Sequence, residues 1–192
     1  MKDKIIETSI LLFEKRGFSS TSIQHITNAL DVTKGTFYYY FTSKEQLLME
    51  IHEEYITDLL DRQQQAIKNA TTNREKLAAI VHLLITDIET KGSAGRVFFR
   101  EIRHLDAENA HDIRSKRDLF RANITTILQN GIASGEFRSS INPNILSFAI
   151  LGVTNWSYQW YYPGGDISPA ELTDMFLDMI LNGIATIEEV ES

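Results

Sequence analysis

The chain reads as an all-helical protein, and three observations predict this. Apolar residues recur at i, i+3, i+4 and i+7 in one segment after another; no segment shows the alternation of a half-buried strand; and Ser, Thr or Asn caps, twice followed by proline, mark where helices begin. With 192 residues, 43% of them hydrophobic, the chain can bury a real core in one large or two small domains. It has no cysteine, which excludes disulfides, zinc–thiolate sites and a catalytic thiol.

The first helix carries Ile6, Ile10 and Phe13 on one face, with Ile5 and Leu12 beside them, and ends at Gly17. A second follows with Ile23, Ile26 and Leu30 inward and Thr21 or Ser22 as its N-cap. Asp31 and Val32 make a tight turn, for which Asp31 suits because Asp tolerates left-handed backbone. Thr33 then caps a third helix whose Phe37 and Phe41 point inward. Lys34, Gly35, Thr36, Tyr38 and Tyr39 therefore face outward, with Tyr40 half-buried. Free backbone N–H groups beside a cation, a glycine and several hydroxyls suit a polyanion, and such a helix fits the DNA major groove.

Ser43 with Gln46 forms a capping-box pattern that opens a long helix to about Asn69, with Leu48, Ile51, Tyr55 and Leu59 on one face. Thr71 to Asn73 is a polar loop and cap for the next stripe, Leu77, Ile80, Leu84 and Ile88, which Lys91-Gly92-Ser93 breaks. A shorter segment turns Phe98, Ile102 and Leu105 inward, and a long helix with Phe120, Ile124, Ile127 and Leu128 fades near Gly135. Asn142-Pro143 and Ser168-Pro169 with Glu171 start the last two helices. From Ser139 to Gly165 there is no charged residue, but Asn144, Ser147, Thr154, Asn155, Ser157 and Gln159 interrupt the apolar run well short of the ~20 residues a membrane span needs. The final helix has its own apolar stripe of Leu172, Phe176, Met179, Gly183 and Ile187, so the pair can build an intersubunit four-helix bundle, with Gly152 and Gly183 allowing close approach.

The run Gly17-Phe18, Thr21-Ser22-Ile23, Ile26, Ala29, Val32, Lys34-Gly35-Thr36-Phe37-Tyr38-Tyr39-Tyr40-Phe41 and Ser43-Lys44-Glu45-Gln46-Leu47 resembles the N-terminal DNA-binding domain of TetR-family transcriptional regulators. The match is dense and ordered over about a quarter of the chain, and departs from the family at Asp31, where glycine is usual. The resemblance implies a helix-turn-helix head over residues 1–46 and an effector-binding and dimerisation body over residues 47–192. It implies a homodimeric repressor on a palindromic operator, released by a small molecule. DNA contacts then fall to Thr21, Ser22, Thr33, Lys34, Gly35, Thr36, Tyr38, Tyr39 and Lys44, of which Tyr38 and Lys44 match phosphate-touching positions.

Net charge is −7, which at first argues against nucleic acid. The head, however, holds six basic and five acidic residues, so the acidity lies in the body. Weak non-specific binding and strong salt sensitivity of the specific complex follow. The charged N-terminus with only a short apolar stretch behind it predicts no signal peptide, hence a cytoplasmic protein without a membrane partner.

In the body, Leu84, Ile88, Phe98, Phe99, Ile102, Phe120, Ile124 and Trp156 are the candidate pocket walls. Arg114, Arg117 and Arg121 share one face, with Arg96, Arg100 and Arg103 upstream; they form either an ion-paired surface or an anion-binding mouth for a phosphorylated effector. The segment Asn155 to Gly165 with Ser168-Pro169 is similar to one in TetR regulators that respond to acyl-coenzyme A thioesters, which makes a fatty acyl-CoA the first expectation. The main alternative is a sensor of drugs or lipophilic cations, with Asp87 or Glu101 as its acid. A helical metal-binding enzyme is a remote third: Glu101 with His104 and Glu108 with His111 have the Glu-x-x-His spacing of di-iron bundles, but the pairs lie too near each other in the chain to face across helices. No nucleophile–base motif and no cofactor or metal site is expected.

Overall fold

The computed structural model describes residues 1–105 and 109–182, and every regular element among them is helical. These are α1 (Lys2–Arg16), α2 (Ile23–Ala29), α3 (Lys34–Tyr40), α4 (Lys44–Asn69), α5 (Asn73–Glu101), a 3-10 turn (Ile102–His104), α6 (Asn109–Ala133), α7 (Pro143–Trp160) and α8 (Pro169–Asn182). The expected caps hold them. Ser43 Oγ accepts from Gln46 N–H, Thr72 and Glu75 form a full capping box, Asn142 Oδ1 accepts from Asn144 and Ile145, and Ser168 exchanges bonds with Glu171. Among the described residues no helix is long and apolar enough to cross a membrane.

α1 to α3 form the head, closed by Ile5, Phe13, Ile26, Phe37 and Phe41, all nearly inaccessible. α4 leaves the head at Leu47 and Leu48 and runs into the body, where it packs on α5 and α6. One apolar cluster runs from Ile5 in the head to Ile150 in α7. α4 therefore shares its core with both parts.

Two expectations change. The break at Lys91-Gly92-Ser93 is a kink and not an end: only Lys91 leaves helical geometry (φ −132°, ψ 22°), and α5 continues to Glu101. Its kink is held from outside, because Lys91 Nζ lies 2.8 Å from Asp58 of α4. The α8 stripe is also rotated. Leu172 and Thr173 are buried with Phe176 half-buried, while Met179 is 38% exposed. Met175 beside it and Ile145, Trp156 and Trp160 of α7 are exposed too. Gly183, Ile187 and Glu108 lie outside the described residues.

Candidate nucleic-acid interface and effector pocket

The turn between α2 and α3 is tight. Asp31 sits at φ 53°, Val32 N–H bonds Thr27 C=O at 3.0 Å and Asp31 N–H bonds Asn28 C=O at 3.3 Å, the paired bonds of a Schellman ending with aspartate in the place of glycine. Thr33 then caps α3 by accepting from Thr36 N–H at 3.2 Å. α3 presents Lys34, Gly35, Tyr38 and Tyr39 outward, Tyr39 being 81% exposed, with Thr36 and Tyr40 half-buried. Ser22 caps α2, and its box is completed by His25, whose Nδ1 accepts from Ser22 N–H at 3.2 Å. A histidine there carries no sequence signal, because Glu or Gln is the usual partner.

Two head residues change role. Thr21 is fully buried, its hydroxyl donating to Gly17 C=O at 2.8 Å, so it offers DNA nothing and fixes the α1–α2 loop instead. Lys44 is only partly exposed. Its ammonium donates to the carbonyls of Phe18 (2.8 Å) and Thr21 (2.7 Å) and stands 4.2 Å above the Phe18 ring. Desolvation there pushes the Lys44 pKa below its ordinary value. It ties the loop that precedes α2 to the start of α4.

The body holds a pocket of about 600 Å³ between α4, α5, α6 and α7. Leu84, Phe98, Phe99 and Phe120 line it as expected, together with Ile56 and Leu59 of α4 and Phe148, Leu151, Gly152 and Asn155 of α7. Ile88, Ile102, Ile124 and Trp156 do not. Ile88 belongs to a separate cluster with Ile85, Tyr158, Tyr161 and Leu172. Ile124 is sealed in the core, Ile102 opens the 3-10 turn half-buried, and Trp156 points outward at 66% exposure. Helical periodicity separates in from out, but not a wall with space behind it from a packed one. The α4 and α7 walls carry no sequence signal of their own for the same reason.

The six arginines divide. Arg114, Arg117 and Arg121, with Asp118, line the pocket. Arg121 stacks its guanidinium 4.5 Å over the Phe148 ring and reaches Asp118 only at 3.9 Å; Arg117 stands 5.7 Å from the centre of the Phe98 ring. Desolvation lowers Arg117 from its usual value, with Asp118 opposing and Arg114 adding to the effect, yet the group stays charged at any physiological pH. Arg96 and Arg100 turn instead towards the head, and Arg103 lies beside His104.

The acids of the alternative reading are occupied elsewhere. Asp87 is fully buried and accepts from Tyr55 and Tyr158, with Arg62 paired to it. Glu101 pairs with Arg100 at 2.7 Å and with His104 at 3.4 Å. Neither lines the pocket. Among the described residues no three metal-ligating side chains gather.

Residues 5–51 match the family of bacterial regulatory proteins of the tetR type, and residues 70–184 match the tetracyclin repressor-like C-terminal domain. The chain belongs to the TetR family. This TetR-family protein is 28% identical over 187 residues to the HTH-type transcriptional repressor KstR2 of Rhodococcus jostii strain RHA1, across 96% of this chain and 91% of the relative. Its fold matches the crystal structure of the TetR regulator PfmR from Thermus thermophilus with a TM-score of 0.88 at 27% identity, over 95% and 99% of the two chains. AibR, solved with isovaleryl coenzyme A and operator DNA, matches with a TM-score of 0.87 over 94% and 97%; at 23% identity that likeness carries the fold.

Proposed function

We propose that this TetR-family repressor acts as a homodimer on a palindromic operator and is released by an acyl-coenzyme A thioester. The observation that carries the ligand class is the set of three arginines, Arg114, Arg117 and Arg121, on a pocket whose other walls, Asp118 and Asn155 apart, are apolar and aromatic. The outer two lie seven positions apart on α6, roughly 10 Å along the axis, more than a single carboxylate can bridge and well suited to the separated phosphates of a nucleotide. Phe98, Phe99, Phe120 and Leu84 supply the apolar surface an acyl group needs. Among the described residues that line the pocket, a lipophilic cation would meet three arginines and a single acid, Asp118, which disfavours the drug-sensor alternative.

The proposed DNA surface is α3 with the exposed caps: Ser22, Thr33, Lys34, Gly35, Tyr38 and Tyr39, with Thr36 at its edge. Lys44 acts mainly by holding the loop and α4 together. The proposed dimer face is the outer side of α7 and α8, where Ile145, Trp156, Trp160, Met175 and Met179 are exposed. Two-fold symmetry then sets half-sites about one helical turn apart, or a multiple of it. The effector must favour a state in which the two α3 helices no longer fit adjacent grooves.

Fluorescence anisotropy on an operator selected from random duplexes by the purified protein tests this reading. Dodecanoyl-CoA is expected to release the DNA, while coenzyme A alone and dodecanoate alone leave it bound. An operator unaffected by a series of short, medium and long acyl thioesters sinks the effector assignment.

A further inference from the structure

The aromatic walls of the pocket are not equivalent. Among its described lining residues are four phenylalanines. Phe98 and Phe120 are sealed, at 1% and 4% exposure, and Phe99 is half-buried with its ring edge-on to Phe98 at 5.3 Å between centres. Phe148 of α7 differs, because it is 57% exposed and stands where the pocket opens. A lone exposed ring needs no explanation by itself. This one is held in a fixed place: Arg121 of α6 lays its guanidinium over the ring, with Cζ 4.5 Å from the ring centre, well within the reach of a cation–π contact.

The place of the ring on its helix sets it apart from the proposed dimer face. Ile145, Trp156 and Trp160 run along one stripe of α7, whereas Phe148 lies roughly 60° round the helix from Ile145, on the side that meets α6 and Arg121. A guanidinium on one face of a ring leaves the opposite face for a second flat group. Its own N–H edge stays available to an anion. The other such pair in the pocket cannot work in this way, because Arg117 stands 5.7 Å from the centre of a Phe98 ring that is buried.

We propose that Phe148 and Arg121 form a nucleobase site at the mouth of the pocket, in which the base of a nucleotide-bearing effector stacks on the face of Phe148 opposite Arg121. The phosphates of the same nucleotide then run along Arg121, Arg117 and Arg114, and the apolar group goes inward to Leu84, Phe98 and Phe99. This rests on the reading of the pocket as the effector site and says which part of the effector lies where. Stacking of one base on an aromatic side chain corresponds to about fivefold to a hundredfold in affinity. Phe148 therefore makes the pocket prefer an amphiphile that ends in a nucleotide to one that ends in a bare phosphate or carboxylate. Because every base has a flat face, it does not choose among bases.

The test is calorimetry on the full-length protein with three probes. Dodecanoyl-CoA carries acyl group, phosphates and base; dodecanoyl-phosphopantetheine keeps the acyl group and one phosphate without the nucleoside; adenosine 3′,5′-bisphosphate is a nucleotide without the acyl group. In Phe148→Leu, apolar but without a flat face, dodecanoyl-CoA and the bisphosphate are each expected to bind about tenfold more weakly than in the wild type, and dodecanoyl-phosphopantetheine within about twofold of it. Phe148→Tyr, which keeps the face, stays within about threefold for all three. If all three probes weaken together in Phe148→Leu, the ring serves only to position Arg121 and the base site is wrong. It is equally wrong if none of them weakens.

Two further arms keep this apart from assembly and from the effector assignment. Sedimentation of Phe148→Leu is expected to match the wild type; a shift to monomer would mark the ring as a dimer anchor and overturn the base site. If the bisphosphate binds the wild type and weakens in Phe148→Leu while no acyl thioester releases the operator, the base site stands and the assigned effector is wrong. If dodecanoyl-CoA releases operator from the wild type and from Phe148→Leu at the same concentration, the effector assignment stands and the base site is wrong. Should Phe148→Leu fail to fold, judged by circular dichroism, saturation-transfer NMR of dodecanoyl-CoA on the wild type decides. Saturation of the adenine protons is the expected result, and saturation confined to the acyl and pantetheine protons overturns the site.

Discussion

Tyr158 of α7 donates to Asp87 of α5 at 2.6 Å, and Tyr55 of α4 donates to the same oxygen, Oδ2, at 2.7 Å. The two hydroxyls stand 2.9 Å from each other, and Arg62 closes the group from the other carboxylate oxygen. Three helices are thereby joined at one buried charge behind the pocket wall, since the Tyr158 ring packs 5.1 Å from that of Phe99 and the Tyr55 ring 4.8 Å from that of Phe98. Burial first raises both tyrosines above their ordinary values, followed by the Asp87 charge for Tyr158 and by Tyr158 and then Asp87 for Tyr55, so they remain donors at any working pH.

Removing parts of this group should cost unequal amounts. Tyr158→Phe loses one bond to a charged acceptor and is expected to cost about 1.5–3 kcal/mol. Asp87→Ala leaves Arg62 and two hydroxyls without their acceptor and is expected to cost about 3–5 kcal/mol. Urea unfolding of both variants checks the order; equal costs would mean that the carboxylate is not the centre of the group.

The turn offers a gain. Asp31 holds a left-handed conformation that costs a non-glycine residue roughly 1–2 kcal/mol, somewhat less for Asp. Asp31→Gly is expected to stabilise the protein by up to about 1 kcal/mol, raising Tm by about 2–4 °C, with operator affinity unchanged. Asp31→Val, β-branched at positive φ, should destabilise it instead. Calorimetric scans of the pair decide.

How far the sequence alone reached is visible in these same residues. The caps Ser43, Thr72, Asn142 and Ser168 and the tolerance of Asp31 for its turn were legible, because each depends on neighbours within four positions. Asp87 was legible only as an acid near apolar residues; nothing local says that tyrosines from positions 55 and 158 converge on it. The arginines make the same point. Arg96, Arg100, Arg114, Arg117 and Arg121 share helical spacings, yet two grip the head and three face the pocket, a division set by which helix lies opposite. Thr21 and Lys44 carry the family pattern at the DNA surface, but the fold turns one inward and ties the other to carbonyls.

A pH dependence follows from His52. The ring is fully buried, with Nδ1 2.9 Å from Leu48 C=O, and burial lowers its pKa from 6.5 to about 4. The folded state therefore resists a proton that the unfolded chain accepts. Stability is intact above pH 6.5 and falls as pH drops from there towards 4, by about 3 kcal/mol in total from this group. His52→Leu should flatten that part of the profile; a wild-type and a variant curve that stay parallel between those pH values would show that His52 is not the titrating group.

At the pocket mouth, Arg117→Gln and Arg121→Gln should each weaken dodecanoyl-CoA by about tenfold through a lost charge-assisted bond to phosphate. Phe98 and Phe148 keep their places, so operator binding without ligand should not change. Calorimetric titration of both variants against thioester, with anisotropy on the operator as control, separates the two effects.

If an apolar pocket with three arginines governs the DNA-binding head, one titration shows it most directly. Dodecanoyl-CoA is added to the complex of wild-type protein with labelled operator, beside the Arg114→Gln/Arg117→Gln/Arg121→Gln variant. The prediction is release of the operator from the wild type and retention by the variant across the same range. Retention by the wild type at saturating thioester, or equal release from both, would contradict it.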